Sequence, residues 1–257
     1  MLKSVATCIA RLSLAAACAS IGVVEARAAA PAHPDFTGVY GNYSEPGAPR
    51  GPRGAGQPEL PFTPLAKAKV AEYRALVTPT STSPGTFCLG TGMPGSMLGS
   101  GGYPMEIFQR PEQINVVYEA HNEQRRIYFG SRIMAPDDRV TDRNGFSQAH
   151  WEGDVLVVET DNLKEQVDQR YAHSDQAKIV ERYHFDKAPD GKQILVAEMT
   201  MTDPVFYTQT ITATKKWNPI PNGHLLSYEC DEETWDKHLA ELKKTQSATP
   251  AKQASAR

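Results

Sequence analysis

Short apolar runs separated by polar turns recur along the chain, and this pattern predicts β-strands. Residues 150–160, with the sequence His-Trp-Glu-Gly-Asp-Val-Leu-Val-Val-Glu-Thr, show it most clearly. Gly and Asp tolerate the positive φ that a tight reversal needs, so the Glu-Gly-Asp segment predicts a β-hairpin. Because the run Val155–Val158 does not alternate with polar residues, we expect this strand to be covered on both faces.

The region that follows Tyr103 predicts an all-β domain. Most of its apolar runs are joined by short connections, which favours antiparallel pairing. Without the spacing of βαβ units, about eight to ten strands fit a closed or nearly closed antiparallel meander β-barrel. The predicted strands are 35–41, 104–109, 113–120, 124–130, 147–151, 154–160, 178–186, 192–203, 206–217 and 224–230.

Two helices and a long loop complete the predicted domain, 35–244. A Thr followed by Pro at 63–64 is a typical helix start, and a second helix is predicted over 231–244. The loop 78–102 has no periodicity and is rich in Gly, Ser, Thr and Pro. Its composition fits disorder or a lid, and its cysteine favours a tethered lid. The polar residues 245–257 predict a disordered tail.

Residues 1–28 have the pattern of a secretory signal peptide. Lys3 and Arg11 form the positive start, an apolar run follows, and Ala26-Arg27-Ala28 matches the small-x-small cleavage rule. We therefore predict cleavage near Ala28, a short linker to residue 34, and a secreted or periplasmic protein. Lipoprotein processing at Cys18 is the weaker alternative. The apolar run is too short to span a membrane.

Cys88 and Cys230 are the cysteines that remain after removal of the leader. Two thiols in an oxidising compartment predict one disulfide, which would tie the long loop to the last strand. Closing a loop of about 140 residues would stabilise the fold by roughly 4–5 kcal/mol on the chain-entropy model. Two unlinked buried thiols are the alternative.

The charge balance narrows the class of partner. The chain carries 27 basic and 30 acidic residues, and loss of the leader makes it slightly more acidic. A mildly acidic surface without a basic cluster argues against nucleic acid. We therefore expect a small-molecule ligand or substrate as the partner, while the oligomeric state stays open.

Several short motifs distributed over residues 35–232 occur together. They are Tyr103-Pro104-Met105-Glu106-Ile107, Tyr118-Glu119, Asn122, Arg125-Arg126-Ile127-Tyr128, Trp151-Glu152-Gly153-Asp154, Leu156-Val157-Val158, His173-Ser174, Glu181-Arg182-Tyr183, Asp203-Pro204, Tyr207-Thr208 and Tyr228-Glu229-Cys230. In this combination the chain resembles a large group of uncharacterised secreted bacterial proteins. The resemblance implies a lipocalin-like or calycin-like barrel and carries no activity. The chain departs from the group at Phe146, where relatives often have His, and at His150, where Arg is common.

Polar residues that interrupt apolar strand faces are the candidates for chemistry. Glu181 breaks an otherwise apolar face, and Glu198 lies on the face of the next strand that we interpret as the polar lining of a cup. Glu119 lies across a turn from Arg125 and Arg126, and the sequence leaves open which arginine faces the interior.

Several carboxylates in one low-dielectric site cannot all be ionised, so one would have a raised pKa and serve as a general acid or base. No cofactor or metal is predicted, because the chain has no nucleotide-binding fingerprint and no HxH or HExxH spacing. The candidate catalytic residues are Glu181, His173 and Glu119. The candidate substrate-binding residues are Arg125, Arg126, Tyr118, Glu106, Glu198 and Tyr207.

Three functions remain in competition. The first is a cofactor-independent lyase or isomerase for a small aromatic or partly apolar molecule, with Glu181 or Glu119 as base, His173 as acid, and arginine with Tyr118 holding an anion. The second is a non-catalytic periplasmic carrier that uses the same groups to orient its ligand. The third is an envelope protein that oligomerises through strand 154–160. Against the first two, cross-strand Glu–Arg pairs are often solvated surface pairs worth under about 1 kcal/mol.

Overall fold

Nine β-strands of the described residues pair in chain order, and the last closes on the first to form a barrel. The predicted all-β barrel is therefore confirmed. The strands are β1 Gly38–Asn42, β2 Met105–Arg110, β3 Gln113–Tyr118, β4 Glu123–Tyr128, β5 Phe146–Glu152, β6 Val155–Asp161, β7 Lys178–Lys187, β8 Gln193–Thr202 and β9 Ile211–Pro219.

The computed structural model describes residues 33–45, 47, 59–80, 83–99, 102–228 and 233–254. The predicted signal peptide with its cleavage at Ala28, the alternative lipidation at Cys18, and Cys230 lie outside these residues. Cys88 takes part in a disulfide bond. Its pairing with Cys230 stays a prediction.

The barrel is mixed, because β4 and β5 run parallel while all other neighbours are antiparallel. Their register contains two residue pairs, Ile127 with Ser147 and Tyr128 with Gln148. Parallel neighbours require a crossover connection, and residues 129–145 provide it. At this pairing the structure differs from the predicted antiparallel meander.

The predicted hairpin joins β5 to β6. Gly153 lies in its turn with a φ of 61°, a left-handed conformation that glycine adopts without steric cost. On β6, Leu156 and Val158 are buried on one face, and Val157 is buried on the other. The expectation that this strand is covered on both faces is confirmed.

Two of the predicted strands near the C terminus need correction. β9 begins at Ile211 and not at Phe206, because the Asp203 carboxylate accepts the backbone N–H groups of Val205 and Phe206 and holds them in a turn. The strand predicted over 224–230 is wrong for residues 224–228, which have no regular secondary structure.

α1 begins where the sequence predicts, and the helix predicted over 231–244 is described from Glu233. In α1 (Pro64–Val77), the Thr63 hydroxyl accepts the Ala66 N–H at 3.2 Å as an N-cap. α3 (Glu233–Ala254) continues beyond Lys244 into the segment predicted as a tail. The short helices are α2 (Gly95–Leu98) and 3-10 turns at Thr78–Thr80, Pro84–Phe87, Ala120–Asn122, Gly130–Arg132 and Pro136–Asp138.

None of the helices in the described ranges has both the length and the apolar character needed to cross a membrane.

Apolar side chains fill the barrel interior. Leu195, Ala197, Met199 and Met201 of β8 face inward and are at most 1% exposed. The residues between them on the strand face outward, so the interpretation of the Glu198 face as the lining of an internal cup is wrong. The predicted lid also contributes to the core, where Met93 and Met97 are buried among the barrel residues. The loop therefore packs into the barrel as a plug. We call residues 88–99 the plug loop.

Candidate functional site

A buried ion pair between Arg125 and Glu181 lies inside the barrel. The exposed fractions of these residues are 1% and 0%. Both Glu181 carboxylate oxygens accept hydrogen bonds from the guanidinium, and the one from Nη1 to Oε1 measures 3.0 Å. The Tyr183 hydroxyl donates to Oε1 at 2.8 Å. Arg125 also donates to Ser147 Oγ at 3.1 Å and to Thr160 Oγ1 at 2.8 Å.

This network joins four consecutive strands. Arg125 is on β4, Ser147 on β5, Thr160 on β6 and Glu181 on β7, so the network crosses the short parallel pairing of β4 and β5. Burial opposes the charge of Arg125, but the charge and hydrogen bonds of Glu181 outweigh burial and raise its pKa. The guanidinium and the carboxylate are thus engaged with each other, which is the arrangement of a structural pair.

The other two predicted catalytic residues do not join this network. Glu119 is buried, and its carboxylate accepts the Leu226 N–H at 2.8 Å. His173 is fully buried; its Nδ1 lies 3.0 Å from the Tyr171 carbonyl oxygen and its backbone pairs with Gln166. Burial lowers the pKa of His173 and favours a neutral imidazole. Both residues brace loops against the barrel.

The predicted substrate-binding residues are dispersed. Arg125 faces the interior with Tyr118, while Arg126 is exposed, which settles the choice between the two arginines. Glu106 and Glu198 lie on the outer surface, where Glu106 is half-buried and Glu198 is exposed. The ring of Tyr207 is buried against Phe62. The sequence-predicted residues therefore do not form one site.

A large cavity lies outside the barrel, between α1, residues 164–168 and α3. We call it the helical cavity. Its volume is about 630 Å³. Its apolar lining comes from Leu76 on α1, Leu89 in the plug loop, and Trp235 and Leu239 on α3. Neither Arg125 nor Glu181 lines the helical cavity.

Polar residues also line the helical cavity. Arg143 pairs with Asp168 Oδ2 at 2.8 Å and donates to the Gly90 and Thr91 carbonyl oxygens. The hydroxyl of Tyr73, Oε1 of Gln166 and Oδ1 of Asp168 are buried without a partner among the described atoms. Burial and the charge of Asp168 raise the pKa of Tyr73, so its phenol stays protonated.

A second cavity, of about 340 Å³, is lined by Glu123, His121 and Asn144 and shares Arg143 with the helical cavity. The Glu123 carboxylate accepts the Gly92 N–H at 2.8 Å and the Ser96 hydroxyl, and so holds the plug loop. Burial raises the pKa of Glu123 and lowers that of His121. His121 and Asn122 both have positive φ, which costs free energy in non-glycine residues. We call this the turn cavity.

Sequence reasoning missed both of these cavities. For the turn cavity a signal was present, because Glu123, Arg125 and Ile127 alternate along one strand and share its inward face. The sequence predicts only a turn between the strands 113–120 and 124–130, at His121-Asn122-Glu123. The helical cavity has no local signal, since α1, residues 164–168 and α3 are far apart in the chain.

In the part of the chain that the structure describes, no three His, Cys, Asp or Glu side chains are grouped to hold a metal ion. The expected absence of a metal or cofactor stays a prediction.

Comparison with known proteins found no matching family model, no matching curated protein and no matching solved structure.

Proposed function

We propose that this protein binds a small, partly apolar molecule in the helical cavity, outside its barrel. The observation that carries the proposal is the contrast between a barrel interior filled with side chains and a cavity of about 630 Å³ beneath the two helices. Ligand sites commonly have volumes of about 300–1,000 Å³, mostly apolar walls and a few polar groups that orient the ligand. The helical cavity has a volume in this range and combines a group of apolar side chains with polar and charged ones.

Blocking the cavity tests this proposal. Leu76→Trp adds a large ring to the wall of the cavity, and Val180→Trp adds the same ring to a partly exposed position on β7. We expect native mass spectrometry of the exported protein, purified without denaturation, to detect a retained small molecule. The Leu76→Trp protein should lose it and the Val180→Trp protein should keep it. Equal retention by both folded variants would contradict the proposal.

Acid–base catalysis in the turn cavity is the second candidate function. It is supported by a carboxyl group with a raised pKa and an imidazole with a lowered pKa that line one cavity, since groups with pKa values shifted in this way can exchange protons with a substrate. Glu123 would be the acid or base of the predicted lyase or isomerase, in place of Glu181.

Proton abstraction from carbon can be measured without knowledge of the product. The retained molecule is incubated with the protein in D2O, and NMR follows deuterium incorporation at carbon. A lyase or isomerase of this kind would catalyse the exchange, and Glu123→Gln would abolish it. Exchange at the same rate with and without the protein would contradict catalysis, and ligand binding without chemistry would stay as the proposed function.

We also propose that the chain is exported, as the pattern of residues 1–28 and the resemblance to secreted bacterial proteins support. Expression of the full chain in a Gram-negative host should yield a periplasmic protein whose intact mass corresponds to cleavage near Ala28. A cytoplasmic protein that retains Met1 would contradict export, and a mass increased by lipid would instead place processing at Cys18.

A further inference from the structure

We propose that the Lys215 amine, assisted by the Asn42 amide, forms a Schiff base with a small aldehyde or ketone at an opening in the barrel wall beside β9. This site is separate from the helical cavity, and the inference does not rest on the proposed binding function.

The barrel wall is incomplete along the first part of β9. β1 pairs only with the last three residues of β9, so residues 211–215 have no strand partner on this side within the described ranges. α2 lies against β9 instead. Ala213 and Lys215 share the inward face of β9 with the core residues Ile211 and Trp217. Ile211 and Trp217 are buried, whereas Ala213 and Lys215 are only partly buried, so solvent reaches the inner face of the strand here.

The Lys215 amine has no counter-charge. Among the described residues no carboxylate pairs with it and no oxygen accepts its N–H groups, and the Trp217 ring centroid lies 5.9 Å from Nζ. The titratable groups on the inner face of the neighbouring strands, Arg125, Glu181 and Tyr183, bond to one another. Burial therefore lowers the pKa of Lys215 below its ordinary value of 10.5, which increases the neutral, nucleophilic fraction of the amine.

An asparagine side chain lies beside this amine. Asn42 of β1 is the register partner of Trp217, and both residues face inward. Lys215 is therefore the diagonal neighbour of Asn42, at a separation of about 7–8 Å that a long side chain can bridge. In the described part of the chain no group hydrogen-bonds to the amine or to the amide, and neither belongs to the polar atoms that are buried without a partner. Both groups are thus accessible to a substrate.

An accessible amine with a lowered pKa is suited to addition to a carbonyl carbon. Nζ of Lys215 forms the C–N bond, the carbonyl oxygen takes up a proton, and loss of water from the carbinolamine gives the imine. Both protons of the neutral amine leave in that water, so the step needs no oxidant or reductant. The Asn42 amide donates to the carbonyl oxygen as negative charge develops on it. Because Ala213 and Trp217 are apolar, we expect an aldehyde or ketone with a small apolar or aromatic body.

Trapping the imine tests the inference in the folded wild-type protein. Benzaldehyde forms the imine at neutral pH, cyanoborohydride reduces it to a stable benzylamine, and peptide mass spectrometry locates the modified lysine. We expect Lys215 to be modified before Lys178, which is exposed on the outer face of β7. In urea the two lysines should react at the same rate, because the selectivity comes from the fold. Modification of Lys178 as early as Lys215 in the folded protein would contradict the inference.

A pair of asparagine variants tests the contribution of the amide. Asn42→Ala should slow the modification of Lys215 about fivefold, the effect of one net hydrogen bond. Asn218→Ala removes the same group from an exposed position on β9 and should leave the rate unchanged. If both folded variants react as fast as the wild-type protein, the assignment of Asn42 to the site is wrong.

Discussion

Arg125 and Glu181 form an ion pair in the buried interior of the barrel, and each is the main partner of the other. We predict that Arg125→Met lowers the free energy of unfolding by about 3–5 kcal/mol, because Glu181 would remain buried and unpaired. The double variant Arg125→Met/Glu181→Leu should lose less than Arg125→Met alone, since it buries no isolated charge. Urea denaturation measures both.

The neighbouring arginine is the control for this prediction. Arg126→Met removes the same group from an exposed position and should change stability by less than about 0.5 kcal/mol. If Arg125→Met is as mild as Arg126→Met, the interior pair does not hold the barrel together. If the double variant is less stable than Arg125→Met, the argument from an uncompensated charge is wrong.

At the scale of elements, the plug loop depends on a close backbone approach at Gly92. This residue has a φ of 72°, and a Cβ there would lie 2.4 Å from the Arg143 carbonyl oxygen. Gly153 has a φ of 61° with no atom near its missing Cβ. We predict that Gly153→Ala costs about 1–2 kcal/mol from backbone conformation alone. Gly92→Ala should cost clearly more in the same denaturation experiment, because the clash adds to the conformational cost; equal costs would contradict this packing.

The attachment of the plug loop should also depend on pH. The pKa of Glu123 is raised above its ordinary value of 4.5, chiefly by burial. Folding therefore favours the protonated carboxyl, so its stabilising contribution is complete below pH 4.5 and is lost as the pH rises through the raised pKa.

We predict that the wild-type protein loses stability relative to Glu123→Gln over this pH range, because the glutamine amide stays neutral. Thermal unfolding at a series of pH values measures the difference. Parallel profiles of the two proteins would show that Glu123 does not titrate as proposed.

The strands could be predicted where alternation is unambiguous, as in β7, where Glu181 interrupts an apolar face and is buried. In β8, alternation does not show which face is internal, because Ile194, Leu195, Val196 and Ala197 are all buried. Because of this ambiguity, the sequence predicts an inward-facing Glu198, whereas the residue is exposed. The parallel β4–β5 pairing was not predictable either, since a long irregular connection between two strands does not fix their relative direction.

At the scale of the whole molecule, the predicted disulfide would connect the plug loop to the segment that precedes α3 in the chain. We predict that Cys88 and Cys230 of the exported protein react with an alkylating agent only after reduction, as intact mass spectrometry would show. Replacement of both by serine should lower the free energy of unfolding by roughly 4–5 kcal/mol on the chain-entropy model. Alkylation of both thiols without reduction would contradict the pairing.

The central claim is that the ligand binds beneath the helices and that the barrel interior is a packed core. Intermolecular NOEs between protons of the retained small molecule and leucine methyl groups test it most directly. The account predicts NOEs to Leu76 and Leu239, which line the helical cavity. NOEs to Leu156 and Leu195, which lie in the barrel core, would contradict it.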